Sequence, residues 1–136
     1  MKTDSDILTI LFTEAKAYTD INSLNGGIYK KTRPLNSTKE DCVLTTIQGT
    51  LRKFVQDGAI QIKLFYNDLK LSDGTFAEDT KRGGELQSIL YSFSEVLLRK
   101  NLGIYFNVET REVYTDEVIE LDQHFAILKI NYELLN

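Results

Sequence analysis

Apolar residues along this chain change period several times, and each change marks an element. Ile7, Leu8, Leu11, Ala15 and Tyr18 recur at three- and four-residue spacing, which predicts an amphipathic helix from Ser5 to about Asn22. Asp4-Ser5-Asp6 supplies capping oxygens and negative charge at its positive end, and Asn22-Ser23-Leu24-Asn25-Gly26-Gly27 stops it. Ile10 and Phe12 widen the stripe, so the helix is buried on two sides or part of it meets another subunit. A second helical stripe, Leu86, Ile89, Leu90, Phe93, Val96 and Leu97, predicts a helix from about Glu85 to Lys100, closed by Asn101-Leu102-Gly103.

Between and after the helices the period falls to two. Ile28 to Lys31 is a short extended segment, and Pro34, the only proline, biases Arg33 toward extended backbone. Leu35 to Asp41 reads as an exposed loop. Cys42 to Gln48 has apolar groups on both faces and is expected in the interior of a sheet. In Ala59 to Asn67, Ile60, Ile62, Leu64 and Tyr66 point one way, while Gln61, Lys63, Phe65 and Asn67 point the other. Asp57-Gly58 is a turn signal, so Leu51–Val55 is expected to pair with that strand or to extend the preceding one.

Asn67 to Arg82 reads as a long loop with glycines at 74, 83 and 84 near its end, and loops of that length commonly meet a partner. Ile104, Phe106 and Val108 alternate, Glu109 to Glu112 predicts a turn, and Val113 to Thr115 returns the chain. Ala126, Leu128, Ile130 and Tyr132 share a face of a last strand, Phe125 to Tyr132. The expected fold is α+β, one domain over residues 1–136: an antiparallel or mixed sheet with two packed helices in the order α-β-β-β-α-β-β.

Composition narrows the function classes. The apolar fraction of 42% and charged fraction of 26% are those of an ordinary globular chain. A net charge of −4 argues against general attraction to nucleic acid or anionic lipid, and no run of about 18 apolar residues or signal-peptide core is visible. The expectation is a soluble protein with no membrane partner. Cys42 is alone, so no internal disulfide forms and a reduced, intracellular setting is expected. From Gly103 onward seven acids face two bases, leaving the rest of the chain slightly positive.

Candidate chemistry is sparse. His124 is the sole histidine and reads as a surface or strand-edge residue, since one histidine makes no metal set without clustered acids or thiols. Cys42 lies in an apolar run with no basic neighbour and reads as a buried structural thiol. Asp116, Glu117, Glu120 and Asp122 lack the spacing and glycine of an EF-hand loop and read as a solvated edge or a contact for a basic neighbour. Gly83-Gly84 lacks the Lys-Ser/Thr of a phosphate loop. Lys30-Lys31-Thr32-Arg33 beside Tyr29 carries too little charge for nucleic-acid binding and reads as a solvated or interfacial turn. No convergent acid–base pair is found, so neither an enzyme nor a cofactor is expected.

The Gly27–Pro34 segment (Gly-Ile-Tyr-Lys-Lys-Thr-Arg-Pro), the Glu40-Asp41-Cys42-Val43 run into a strand and the Gln61 to Asp68 strand resemble small tail-completion or tail-terminator proteins of tailed bacteriophages and prophages. They are similar above all to versions from phages of the Bacteroidetes, and the element order extends the resemblance over nearly the whole chain. It implies a non-enzymatic virion protein, made in the host cytoplasm, whose subunits form a ring. That ring, a hexamer in most of the family, caps the tail tube and joins it to the neck or connector. The implied partners are therefore other copies of the chain, the tube and the neck, with no sequence-specific nucleic acid and no catalytic residues. A ring needs two complementary faces per subunit. Candidate interface residues are Tyr29, Lys30, Lys31, Arg33, Lys81 and Arg82, with Arg52 and Lys53, against Asp116, Glu117 and Glu120; Asp68 lies in the long loop. The alternative is a small non-enzymatic binding or adaptor module of a bacterium or mobile element, using the same sheet.

Overall fold

The computed structural model of the chain describes residues 2–51 and 54–135. In chain order the elements are α1 (Asp4–Ala17), α2 (Thr19–Asn22), β1 (Ile28–Lys30), β2 (Cys42–Leu51), β3 (Val55–Asn67), β4 (Leu69–Lys70), β5 (Phe76–Ala77), α3 (Thr80–Arg99), β6 (Tyr105–Val118) and β7 (Gln123–Leu135). The main sheet has five strands in the order β1-β2-β3-β7-β6. β1 runs parallel to β2 and every other neighbour is antiparallel, so the fold is α+β with a mixed sheet. β4 and β5 form a small separate hairpin.

Both long helices cover one face. Ile7, Leu8, Leu11 and Ala15 of α1 and Leu86, Leu90, Phe93 and Leu97 of α3 are buried in one cluster with Leu44, Ile60, Ile62, Leu64, Ala126, Leu128 and Ile130 of the strands. The predicted stripes are therefore the core-facing ones. α1 starts at Asp4, the first residue of the acidic run, and its N-cap is Thr3 just before that run: the Thr3 side chain accepts from Asp6 N–H while the Asp6 carboxylate accepts from Thr3 N–H. The bond from Thr3 N–H, and after it the Thr3 hydroxyl, hold the Asp6 carboxyl below the ordinary aspartate range. The helix does not continue unbroken to Asn22. Tyr18 is extended (φ −88°, ψ 110°), with its ring 5.2 Å from that of Phe93, and the short α2 then carries Ile21 into the core.

Several local expectations are corrected. Asp57-Gly58 is not a turn but lies inside β3, in register with Glu133 and Tyr132. Of the segment 51–55, Leu51 ends β2 opposite Gln56 and Val55 begins β3, while residues 52–53 lie outside the described residues. Gly58 is needed for close approach: a Cβ there would stand 2.6 Å from both the Ile47 carbonyl oxygen and the Tyr132 hydroxyl. The predicted turn at Glu109–Glu112 is a bulge within one long strand, between Asn107 opposite Asn131 and Glu112 opposite Lys129. Glu109 N–H donates to the Asn107 side chain, the Thr110 hydroxyl donates to the Asn107 carbonyl, and Asn131 N–H donates to Thr110 Oγ1. The bulge turns Arg111 toward α3, where it bonds Ser94, Glu95 and the Tyr91 hydroxyl. The long loop is shorter than expected because it holds the β4–β5 hairpin and because α3 begins at Thr80, capped by Asp79.

Among the described residues no helix covers the second sheet face, which is shielded by its own side chains. Arg33 lies 4.0 Å over the Phe65 ring, Lys63 4.6 Å over Phe125 and Lys129 5.7 Å over Tyr114. Phe65 and Phe125 are themselves cross-strand neighbours with ring centroids 5.7 Å apart.

Gly83 and Gly84 separate packing from propensity. A Cβ at 83 would stand 2.5 Å from the Tyr66 hydroxyl, whereas nothing lies within 4 Å of one at 84. In urea unfolding, Gly83→Ala should lower stability by about 1–3 kcal/mol, and Gly84→Ala should raise it by about 0.5–1 kcal/mol.

Candidate interaction surface

Three connections meet at one end of the sheet: the loop 31–41, the β4–β5 hairpin and the β6–β7 turn at 119–122. The strand ends beneath them carry polar side chains because backbone groups of these loops need partners there. Asn67 Nδ2 donates to the Thr38 carbonyl at 2.6 Å. Gln123 Nε2 donates to the Ser37 carbonyl at 2.7 Å and to Asn67 Oδ1 at 2.9 Å. Asp68 N–H donates to the Asp122 carbonyl, tying the hairpin to the β6–β7 turn.

A second layer of this network runs under the hairpin and the start of α3. His124 Nδ1 lies 2.6 Å from Asp68 Oδ1, and Nε2 lies 3.3 Å from Glu78 Oε1. The Tyr66 hydroxyl donates to Glu78 Oε2 at 3.2 Å. Burial, reinforced by the Glu78 charge, pushes the Tyr66 phenol well above its ordinary range, so it remains a donor. Arg82 donates two 2.7 Å bonds to the Glu40 carboxylate, a pairing that raises the arginine further. The loop 31–41 is held by Asp41, 1% exposed, whose Oδ1 accepts from Gly27 N–H and whose Oδ2 lies 3.0 Å from Arg33 Nε. Desolvation lowers Arg33 from its ordinary range, and the Asp41 charge opposes that shift.

On this frame the loops present apolar side chains to solvent. Among the described residues, six of eleven large exposed apolar side chains lie here: Leu35 (92% exposed), Ile119 (81%), Leu69, Leu71, Phe76 and Leu121. A groove of about 440 Å³ lies beside two of them, Phe76 and Leu121, and is otherwise lined by polar residues, Asn36 and Thr38 among them. Such a concentration of apolar surface marks an interaction site. The carboxylates of Asp68 and Glu78 occupy opposite nitrogens of His124, and among the described residues no group of three or more His, Cys, Asp or Glu is arranged to hold a metal ion. Cys42 is buried, its thiol pushed up to about 12 by desolvation and then by Asp41.

The residues singled out in the sequence are dispersed by the fold. Tyr29 faces the uncovered side of the sheet in register with Val43. Lys30 donates to Thr9 Oγ1 at 3.0 Å and lies over Phe12. Lys31 is exposed with φ 70°, and Arg33 turns inward onto Asp41 and Phe65. Lys81 is exposed beside the paired Arg82, and Asp68 is spent on His124. Asp116 and Glu117 are exposed at the end of β6, and Glu120 is exposed in the following turn with φ 73°. Arg52 and Lys53 lie outside the described residues. The basic set is thus no single patch, since Arg33 and Arg82 are consumed by internal acids. His124 is half-buried rather than a free surface residue, and Leu35, Phe76 and Ile119 went unrecognised because isolated apolar residues in polar loops have no periodicity.

No family model matches the chain, and no curated protein matches it. Among the described residues no helix is long and apolar enough to cross a membrane.

Asp41 tests whether the loop network is held as described. Asp41→Ala leaves the Arg33 guanidinium and the Gly27 N–H without their buried partner. Denaturant unfolding should show a loss of roughly 3 kcal/mol, and the amides of residues 35–40 should exchange faster with deuterium.

Proposed function

We propose that the chain is a structural subunit of a bacteriophage or prophage tail. In this reading it is a tail-completion or tail-terminator protein that forms a hexameric ring at the head-proximal end of the tube and joins it to the neck. Its partners are other copies of itself, the tail tube and the connector, and it acts as a virion component without a cofactor or a reaction. The resemblance of the Gly27–Pro34 and Gln61–Asp68 segments points in this direction. The observation that carries the reading is the apolar end of the sheet, where three loops offer Leu35, Phe76, Ile119 and their neighbours from a frame already fixed by hydrogen bonds. A surface ordered before contact loses little conformational freedom on docking, which suits a joint that must form once and stay closed.

Light scattering over a range of concentrations tests the reading. It should give a mass six times that of the 15.6 kDa chain, either alone or once tail-tube protein is added. Leu35→Asp with Ile119→Asp should change stability by less than about 0.5 kcal/mol, because both sites are solvent-facing, and should abolish binding to the tube or neck. A monomer indifferent to concentration and to both partners would instead favour the adaptor alternative.

A further inference from the structure

The main sheet has two free edges, and they are unlike. β6 forms one edge and β1 the other, and among the described residues no strand pairs with the outer side of either. Beyond its bulge, β6 reads Glu112-Val113-Tyr114-Thr115-Asp116-Glu117-Val118, with Glu112, Asp116 and Glu117 exposed. The β1 edge carries Lys30 and Lys31, and the residues before it are the glycines Gly26 and Gly27. An unpaired edge is a template for another strand. Two β6 edges brought together would oppose acid with acid, whereas the β1 edge offers the opposite charge.

Strand direction and register extend the match. β1 and β6 run in opposite directions, because one parallel step and three antiparallel steps separate them. Copies related by rotation about an axis along the strands therefore bring β6 of one against β1 of the next in antiparallel orientation, the stronger ladder. The rows can be followed across the sheet. Ile28 leads through Cys42, Leu64 and Ala126 to Thr115, and Tyr29 leads through Val43, Lys63 and Ile127 to Tyr114. Lys30 leads through Leu44, Ile62 and Leu128 to Val113. The next row begins at Lys31, whose N–H still donates to the Leu44 carbonyl, and runs through Thr45, Gln61 and Lys129 to Glu112. A level joint between copies sets Tyr29 opposite Tyr114 and Lys31 opposite Glu112, while Asp116 and Glu117 meet glycines that offer no clash.

We infer that β6 of one subunit pairs antiparallel with β1 of a second copy of this chain, with Tyr29 opposite Tyr114 and Lys31 opposite Glu112, making a continuous sheet between subunits. The pairing rests on the ring reading and deepens it by naming the subunit contact. It gives Glu112 the attractive contact, to Lys31, and leaves Asp116 and Glu117 to repel a second β6 edge.

A paired cysteine variant tests the register. Tyr29 and Tyr114 lie on opposite edges of one sheet, roughly 19 Å apart at the usual strand spacing, so a disulfide between these positions must join two molecules. Under mild oxidation Tyr29→Cys/Tyr114→Cys should give a ladder of linked oligomers, while a chain with only one of the changes should give no ladder. Charge exchange at the exposed Lys31 and Glu112 is the second arm and disturbs no core residue. Lys31→Glu or Glu112→Lys alone should weaken self-association by about tenfold, and the double exchange should restore it. If the wild type assembles but neither the ladder nor the charge rescue appears, the edge pairing is overturned and the ring reading survives. If ladder and rescue appear but the oligomers never close into rings or bind tail-tube protein, the pairing stands and the tail reading fails. A wild type that stays monomeric with and without tube protein overturns both.

Discussion

The antiparallel ladder between β3 and β7 runs unbroken from Val55 opposite Leu135 to Asn67 opposite Gln123, and the other elements take their positions from it. Side chains alternate along it, so one register decides two faces at once. Ile60 with Ile130, Ile62 with Leu128 and Leu64 with Ala126 fall on the side that α1 and α3 cover. Phe65 with Phe125 and Lys63 with Ile127 fall on the side no helix covers. A shift of one residue would put lysines under the helices and isoleucines in water. Burying Lys63 or Lys129 without a partner would cost several kcal/mol, so the register is strongly specified.

Two features follow from an interior made of long central strands. The uncovered face has to shelter its aromatics with nearby cations, as Arg33, Lys63 and Lys129 do. These are long aliphatic stems over rings, and the face is therefore only half exposed. The strand ends must also anchor whatever loops emerge from them. Tyr66, Asn67, Gln123 and His124, the last residues of β3 and the first of β7, supply the donors and acceptors for the hairpin, the loop 31–41 and the β6–β7 turn. The apolar end of the sheet is thus presented by the same two strands that define the core. The bulge in β6 has a different consequence. It sends Arg111 into α3, fixing that helix to the edge strand, and leaves Glu112 to Val118 as a straight free edge.

Long-range alternation and helical spacing made the core legible. The stripes of α1 and α3, the inward set of β3 and the Ala126-to-Tyr132 face of β7 all appear where the pattern puts them. Local signals were misleading where tertiary packing outweighed them. Asp57-Gly58 looks like a turn, but its glycine answers the Tyr132 hydroxyl across the sheet. Gly83 and Gly84 look like loop, but the first makes room for Tyr66 within a helix. The polar run at 109–112 looks like a turn, and its hydrogen bonds instead close a bulge. Charge was the poorest guide to the surface. Arg33 and Arg82 seem available in the sequence, yet Asp41 takes up the first and Glu40, 42 residues before Arg82, takes up the second through the fold.

The central proposal is that this protein acts through the edges and loop tips of its sheet. Hydrogen–deuterium exchange, compared between dilute monomer and assembled protein, tests it directly. The account predicts that amides of Ile28–Lys31 and Glu112–Val118 gain protection together on assembly while β3, β7 and both long helices remain unchanged. Protection appearing instead on the helices, or on the uncovered sheet face with both edges still exchanging freely, would contradict it.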